Sequence, residues 1–61
     1  MANQTKTIVV NRGKAEPALV FPGEKGKVIV QWTNGQRVVY AEADTVMEAA
    51  DRVSAKLNRS D

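Results

Sequence analysis

The chain has 61 residues, a formal net charge of +2, no cysteine and no histidine. That composition excludes disulfides and thiolate metal centres, and it removes the commonest metal ligand and the usual nucleophile–base pairs of enzymes. A chain this short reads as one domain, 1–61, burying only about 60% of the surface of its unfolded form, so it needs either a well-patterned core or a second chain to complete one.

Residues 1–4 are polar and expected to fray. Lys6-Thr7-Ile8-Val9-Val10 is β-branched and predicts a first strand. Its three apolar residues are too few for a signal-peptide core, and no apolar run approaches the roughly 18 residues of a membrane span. A cytoplasmic location is therefore expected. Asn11-Arg12-Gly13-Lys14 follows as a turn, with Gly13 free to take positive φ. Pro17 keeps Glu16 extended and cannot donate to a ladder, so Ala18–Phe21 reads as a short second strand at a sheet edge. Pro22-Gly23-Glu24-Lys25-Gly26 is a second turn, with Pro-Gly placed for type II geometry.

Lys27–Thr33 and Gln36–Glu42 are the third and fourth strands, joined through Asn34-Gly35. Asn-Gly between β-rich runs predicts a two-residue type I′ hairpin. That register sets Thr33 against Gln36, Trp32 against Arg37, Val30 against Val39 and Val28 against Ala41. The pleat then puts Val28, Val30, Trp32, Arg37, Val39 and Ala41 on one face, the drier one. The other face carries Lys27, Ile29, Gln31, Thr33, Gln36, Val38, Tyr40 and Glu42.

The helix begins at Asp44-Thr45, where Thr45 and Glu48 have capping-box spacing and Asp44 places negative charge at the positive end of the helix dipole. Val46, Ala50, Val53 and Leu57 repeat as one stripe, widened by Met47 and Ala49. The expected fold is therefore α+β. A small antiparallel meander of three to four strands (5–42) packs on one C-terminal helix (44–58), and 59–61 form a tail. The predicted core is Val28, Val30, Trp32, Val39, Val46, Ala50, Val53 and Leu57.

No glycine-rich phosphate loop and no cofactor motif is present, and Glu42 with Asp44 reads as the junction of strand and helix. No catalytic or metal-ligating residue is assigned, and no cofactor or small-molecule substrate is expected. Charge is uneven: six Lys/Arg against two Asp/Glu through Tyr40, three against five after it. In a meander, successive turns alternate ends, which gathers Arg12, Lys14 and Arg37 at one end and Lys25, Lys27 and the helix start at the other. Trp32 is expected under the helix, with the Arg37 stem along its indole. Tyr40 is either part of a satellite core beneath the first strands or a stacking platform flanked by Lys27. The candidate binding residues are Lys27, Ile29, Gln31, Val38 and Tyr40 on the mixed face and Arg12, Lys14 and Arg37 at the basic end.

Lys27–Trp32, then Asn34-Gly35-Gln36-Arg37, then Ala43-Asp44-Thr45-Val46-Met47-Glu48-Ala49 resembles integrase arm-type DNA-binding domains over about 30 residues. That family has a strand, a Gly-containing turn with a basic residue, another strand, and Thr-x-x-Glu-Ala opening a helix. The resemblance implies a three-stranded sheet read into the major groove. The chain departs from the pattern in having Ala43 and Asp44 where an aromatic precedes the threonine, and one basic residue, Lys27, among the exposed strand positions. The helix start is also similar to that of HicB-type antitoxins. Two functions follow as expectations. One is a non-enzymatic protein-interaction module, an inhibitor, antitoxin-like or assembly partner, binding another protein or itself through a sheet face or edge strand. The alternative is a small DNA- or RNA-binding regulatory module with salt-dependent affinity.

Overall fold

In the computed structural model, residues 5–59 are described, and the polar start 1–4 and tail residues 60–61 lie outside the described residues. Four strands form a meander in the order β1-β2-β3-β4: β1 (Thr5–Asn11), β2 (Lys14–Pro22), β3 (Val28–Thr33) and β4 (Val38–Ala43). The helix α1 (Val46–Asn58) lies across one face, against β1, β3 and β4. This is the expected α+β architecture of an antiparallel sheet on a C-terminal helix.

The first turn is tighter than its sequence suggests. Asn11 pairs with Lys14, and both central residues have positive φ, 53° at Arg12 and 85° at Gly13. This is the condition for the primed turn that matches strand twist. Arg12 accepts a left-handed conformation that normally costs a non-glycine residue about 1–2 kcal/mol.

The Asn34-Gly35 hairpin, in contrast, is not the expected two-residue turn. Thr33 pairs with Val38, Trp32 with Val39, Val30 with Ala41 and Val28 with Ala43, so the register is shifted by two and the loop holds Asn34, Gly35, Gln36 and Arg37. The cause is side-chain capture of the backbone. Asn34 Oδ1 accepts the N–H groups of Gln36 and Arg37, each at 2.9 Å, and Thr33 Oγ1 accepts that of Gly35 at 3.2 Å. These asparagine and threonine turns compete with the ladder and end it early. Of the four loop residues only Gly35 has positive φ. A slip of two keeps every side chain on its face, so the face assignment survives the register error. Arg37 does not stand opposite Trp32 as expected: it is exposed in the loop, and Val39 takes that place.

The second strand differs most. It runs nine residues, with Pro17 inside it opposite Ile8, and it is central; the edges are β1 and β4. Proline is tolerated for a geometric reason. Val10 turns its N–H and C=O away from β2 (described below), so Ile8, two residues earlier, does the same, and Ile8–Pro17 is a non-hydrogen-bonded pair. The Pro17 nitrogen then faces β3, where the ladder extends only from Leu19–Gln31 to Pro22–Val28. No ladder bond is lost. The Pro22-Gly23 step is also not a type II turn. Gly23 is extended, and a short 3-10 turn at Glu24–Gly26, with positive φ at Lys25 and Gly26, makes the connection. A Cβ at Gly23 would displace the Glu42 carboxylate and crowd the Lys27 carbonyl at 3.1 Å, so glycine fits this close approach.

The core lies between sheet and helix. Val9, Ala18, Val20, Val30, Trp32, Val39, Ala41 and Ala43 meet Ala49, Ala50, Val53 and Leu57 there, with Val28 and Val46 half-buried at its margin. Alanines on both layers let the helix approach closely. Trp32 is the expected anchor, and its Nε1–H donates to Glu16 Oε1 at 2.7 Å. Thr45 Oγ1 accepts Glu48 N–H at 3.1 Å, the expected N-cap, and Glu48 pairs with Arg52 one turn on. Met47 is 76% exposed and does not widen the apolar stripe. At 100° per residue it falls outside the arc from Ala49 to Ala50 that meets the sheet.

Candidate interaction face

Alternation along four strands places Lys6, Ile8 and Val10 of β1, Ala15, Pro17, Leu19 and Phe21 of β2, Ile29, Gln31 and Thr33 of β3, and Val38, Tyr40 and Glu42 of β4 on the face away from the helix. One cross-sheet row reads Lys6, Leu19, Gln31, Tyr40; the next reads Phe21, Ile29, Glu42. An antiparallel sheet with one wet face normally alternates apolar-in with polar-out. Here the outer face is apolar too. Ile8 is 57% exposed, Val10 44%, Val38 55% and Tyr40 61%. Leu19, Phe21 and Ile29 are half-buried by these neighbours. A shallow hollow of about 220 Å³, lined by Lys6, Pro17, Leu19, Gln31 and Thr33, sits in the middle. It is below the usual volume of a small-molecule pocket.

Of the eight candidate binding residues, the structure brings Ile29, Gln31, Val38 and Tyr40 together on this face. Tyr40 is no part of a satellite core. The cation beside it is Lys56, from the helix, and not Lys27. Lys56 Nζ lies 5.8 Å from the ring centroid and donates to the Tyr40 carbonyl at 2.8 Å. Lys27 is paired instead with Asp44, 3.0 Å from its ammonium. That hydrogen bond, then the charge of the same carboxylate, raises the Lys27 pKa. Arg12, Lys14 and Arg37 share the turn end of the sheet, as the meander predicts, but none lies on the open face. A groove of about 360 Å³ runs along the outside of β4, between Arg37, Val38, Val39, Tyr40 and Lys56.

The sheet edges carry a feature that strand patterning does not reveal. At β1, Val10 N–H donates to Ser54 Oγ (3.0 Å), Asn58 Nδ2 donates to the Val10 carbonyl (3.5 Å), and Arg12 N–H donates to Asn58 Oδ1 (2.6 Å). At β4, Lys56 occupies the Tyr40 carbonyl. The helix thus reaches over both edges and takes groups an added strand would need. Ser54 and Asn58 are one turn apart on one flank, and Lys56 lies between them on the opposite flank. The signal in the sequence was their spacing, which becomes legible only once the helix is known to cross the sheet.

No group of three or more potential metal ligands occurs among the described residues, and no helix among them is long and apolar enough to cross a membrane. Comparison with protein-family models, curated proteins and solved structures finds no match.

Proposed function

We propose that the chain is a non-enzymatic protein-interaction module that binds through the open face of its sheet. One observation carries this reading. The face away from the helix presents Ile8, Val10, Val38 and Tyr40 at 44–61% exposure around half-buried Leu19, Phe21 and Ile29. A contiguous apolar patch of that kind on a small protein marks an interaction surface. The bonded edges favour the face over strand addition, because Tyr40 in the middle of β4 and Val10 on β1 already spend outward backbone groups on the helix.

The competing reading, a nucleic-acid module of the arm type, needs cations on the sheet surface. Among the described residues, the strands place one basic side chain, Lys6, on that face; Lys56 reaches its β4 edge from the helix but donates to the Tyr40 carbonyl, and Lys27 is engaged with Asp44. Its best support is the turn end, with Arg12, Lys14 and Arg37.

The two readings separate in one pair of measurements. Titration with duplex and single-stranded DNA at low and high salt is expected to give no saturable binding. Protein retained by the immobilised chain from extract is expected to be lost with Val38→Asp and Tyr40→Asp and kept with Arg12→Ala and Arg37→Ala. Salt-dependent DNA binding that disappears with Arg37→Ala would replace the protein-binding reading with the nucleic-acid one.

A further inference from the structure

The outer edge of β4 is closed at one backbone group only. Asn34 N–H donates to the Arg37 carbonyl at 3.3 Å, so by alternation Thr33–Val38 and Gln31–Tyr40 are non-hydrogen-bonded pairs. Val38 and Tyr40 therefore turn their N–H and C=O groups away from β3, into the groove of about 360 Å³ outside β4. Of these four groups, the Tyr40 carbonyl alone has a partner among the described residues, the Lys56 ammonium at 2.8 Å.

That one blocked carbonyl decides what the edge can accept. A strand added parallel to β4 contacts each outward residue with a carbonyl and, two residues later, an N–H. At Val38 both contacts are open. The residue whose N–H reaches the Val38 carbonyl then offers its own carbonyl to the Tyr40 N–H. The next N–H of the strand requires the Tyr40 carbonyl, and Lys56 already holds it. A strand that continues past Tyr40 is refused; one that ends there loses nothing. In the antiparallel sense a single residue must serve both Tyr40 groups, so the block leaves its N–H unpaired. We infer that the β4 edge is a binding site for the C-terminus of an extended polypeptide, added parallel to β4 and ending at Tyr40. One carboxylate oxygen accepts the Tyr40 N–H. The other lies beside the Lys56 ammonium, which keeps two donors beyond the one on the carbonyl. Backbone pairing at a sheet edge supplies affinity, and the captured chain end sets the register.

The charges around the groove suit a carboxylate. Among the described residues the ion pairs are Lys27–Asp44 and Arg52–Glu48, so neither Lys56 nor Arg37, both on the groove, has an anionic partner. The helix neighbours of Lys56 one turn away are Arg52 and Arg59. Glu42, the next outward residue of β4, accepts the Glu24 N–H at 3.3 Å, which directs its carboxylate to the connection between β2 and β3. The penultimate residue of the bound chain stands opposite Val38 and shares its face, so an apolar side chain fits there. The site lies on the sheet edge and stands whether or not the open face binds a partner.

The test is titration of the isotope-labelled chain with acetyl-Gly-Thr-Thr-Val-Ala, followed by amide proton–nitrogen correlation spectra. The free-acid peptide is expected to saturate at about 0.1–1 mM, with the largest shifts at Val38 and Tyr40 and the Tyr40 amide proton moving downfield. The same peptide with a C-terminal amide should bind at least about fivefold more weakly. Lys56→Gln keeps a donor for the Tyr40 carbonyl but removes the charge, so it should bring the two peptides to within about twofold of each other; its spectrum reports whether the fold is kept. Absence of saturable shifts, equal binding of acid and amide by the wild type, or a preference that survives Lys56→Gln overturns the inference. So does displacement of the peptide by an equal concentration of acetate or of a single-stranded oligonucleotide, which would make the edge a general anion site and not a chain-end site.

Discussion

The two faces of the sheet are both apolar but are built from different side chains. On the helix side the residues are mostly small: Val9, Ala18, Val20, Val30, Val39, Ala41 and Ala43, with Trp32 the one large member. On the open side they are larger: Ile8, Leu19, Phe21, Ile29, Val38 and Tyr40. The helix contributes Ala49 and Ala50 to the covered face, so small side chains meet across the gap between helix and sheet. Side-chain size there is limited by that gap. The open face has no such limit within the chain, and its bulk suits contact with another surface. Hydrophobicity alone therefore does not identify the core of a small two-layer protein; the size of the side chains across the gap does.

Truncations should separate the two faces sharply. Leu57 is 2% exposed in the covered layer, and Leu57→Ala is expected to cost about 2–4 kcal/mol, enough to leave a domain of this size largely unfolded in urea titration. Glu16→Ala strips the buried indole N–H of its acceptor and should cost about 1–3 kcal/mol, whereas Glu16→Gln keeps an acceptor and should recover most of the loss. Thr45→Ala removes the helix cap and should cost about 1 kcal/mol in the same titration. Tyr40→Ala and Ile8→Ala, on the open face, should change monomer stability by no more than about 0.5 kcal/mol; a loss like that of Leu57→Ala would mean that the open face is core after all.

The smallest expected effect is a pH dependence. The raised pKa of Lys27 means that the folded state holds its proton more tightly than the unfolded state. Its contribution is full below the ordinary lysine value of 10.5 and is lost as pH rises through the higher folded value. Urea titrations above that pH should show a decline that Lys27→Met lacks, and no such contribution should vary near neutrality.

Much of this arrangement is legible in the sequence. The helix and its Thr45 cap, the hydrophobic stripe, the first strand and the separation of faces in β3 and β4 all follow from short-range periodicity and spacing. What escapes depends on atoms distant in sequence. The Asn34-Gly35 dipeptide signals a two-residue turn, but Asn34 Oδ1 and Thr33 Oγ1 hold a four-residue loop. Pro17 signals an edge, but a central strand tolerates it at a position where its nitrogen faces no ladder partner. The apolar character of the open face was understated because β1 and β2 supply most of it, and their phase relative to the hairpin is fixed only by the pairing of Lys6 with Leu19 and Leu19 with Gln31. The Lys56–Tyr40 and Glu16–Trp32 pairs, each separated by 16 residues, carry no local signal.

The helix side chains on the sheet edges tie two hazards to a single event. Ser54, Asn58 and Lys56 release β1 and β4 together if the helix lifts, and the same movement bares the alanine- and valine-lined layer beneath it. A partially opened molecule would then offer unpaired strand edges and fresh apolar surface at once, the combination that templates intermolecular β-structure. Exposure of both edges to another chain is accordingly expected to depend on detachment of the C-terminal helix.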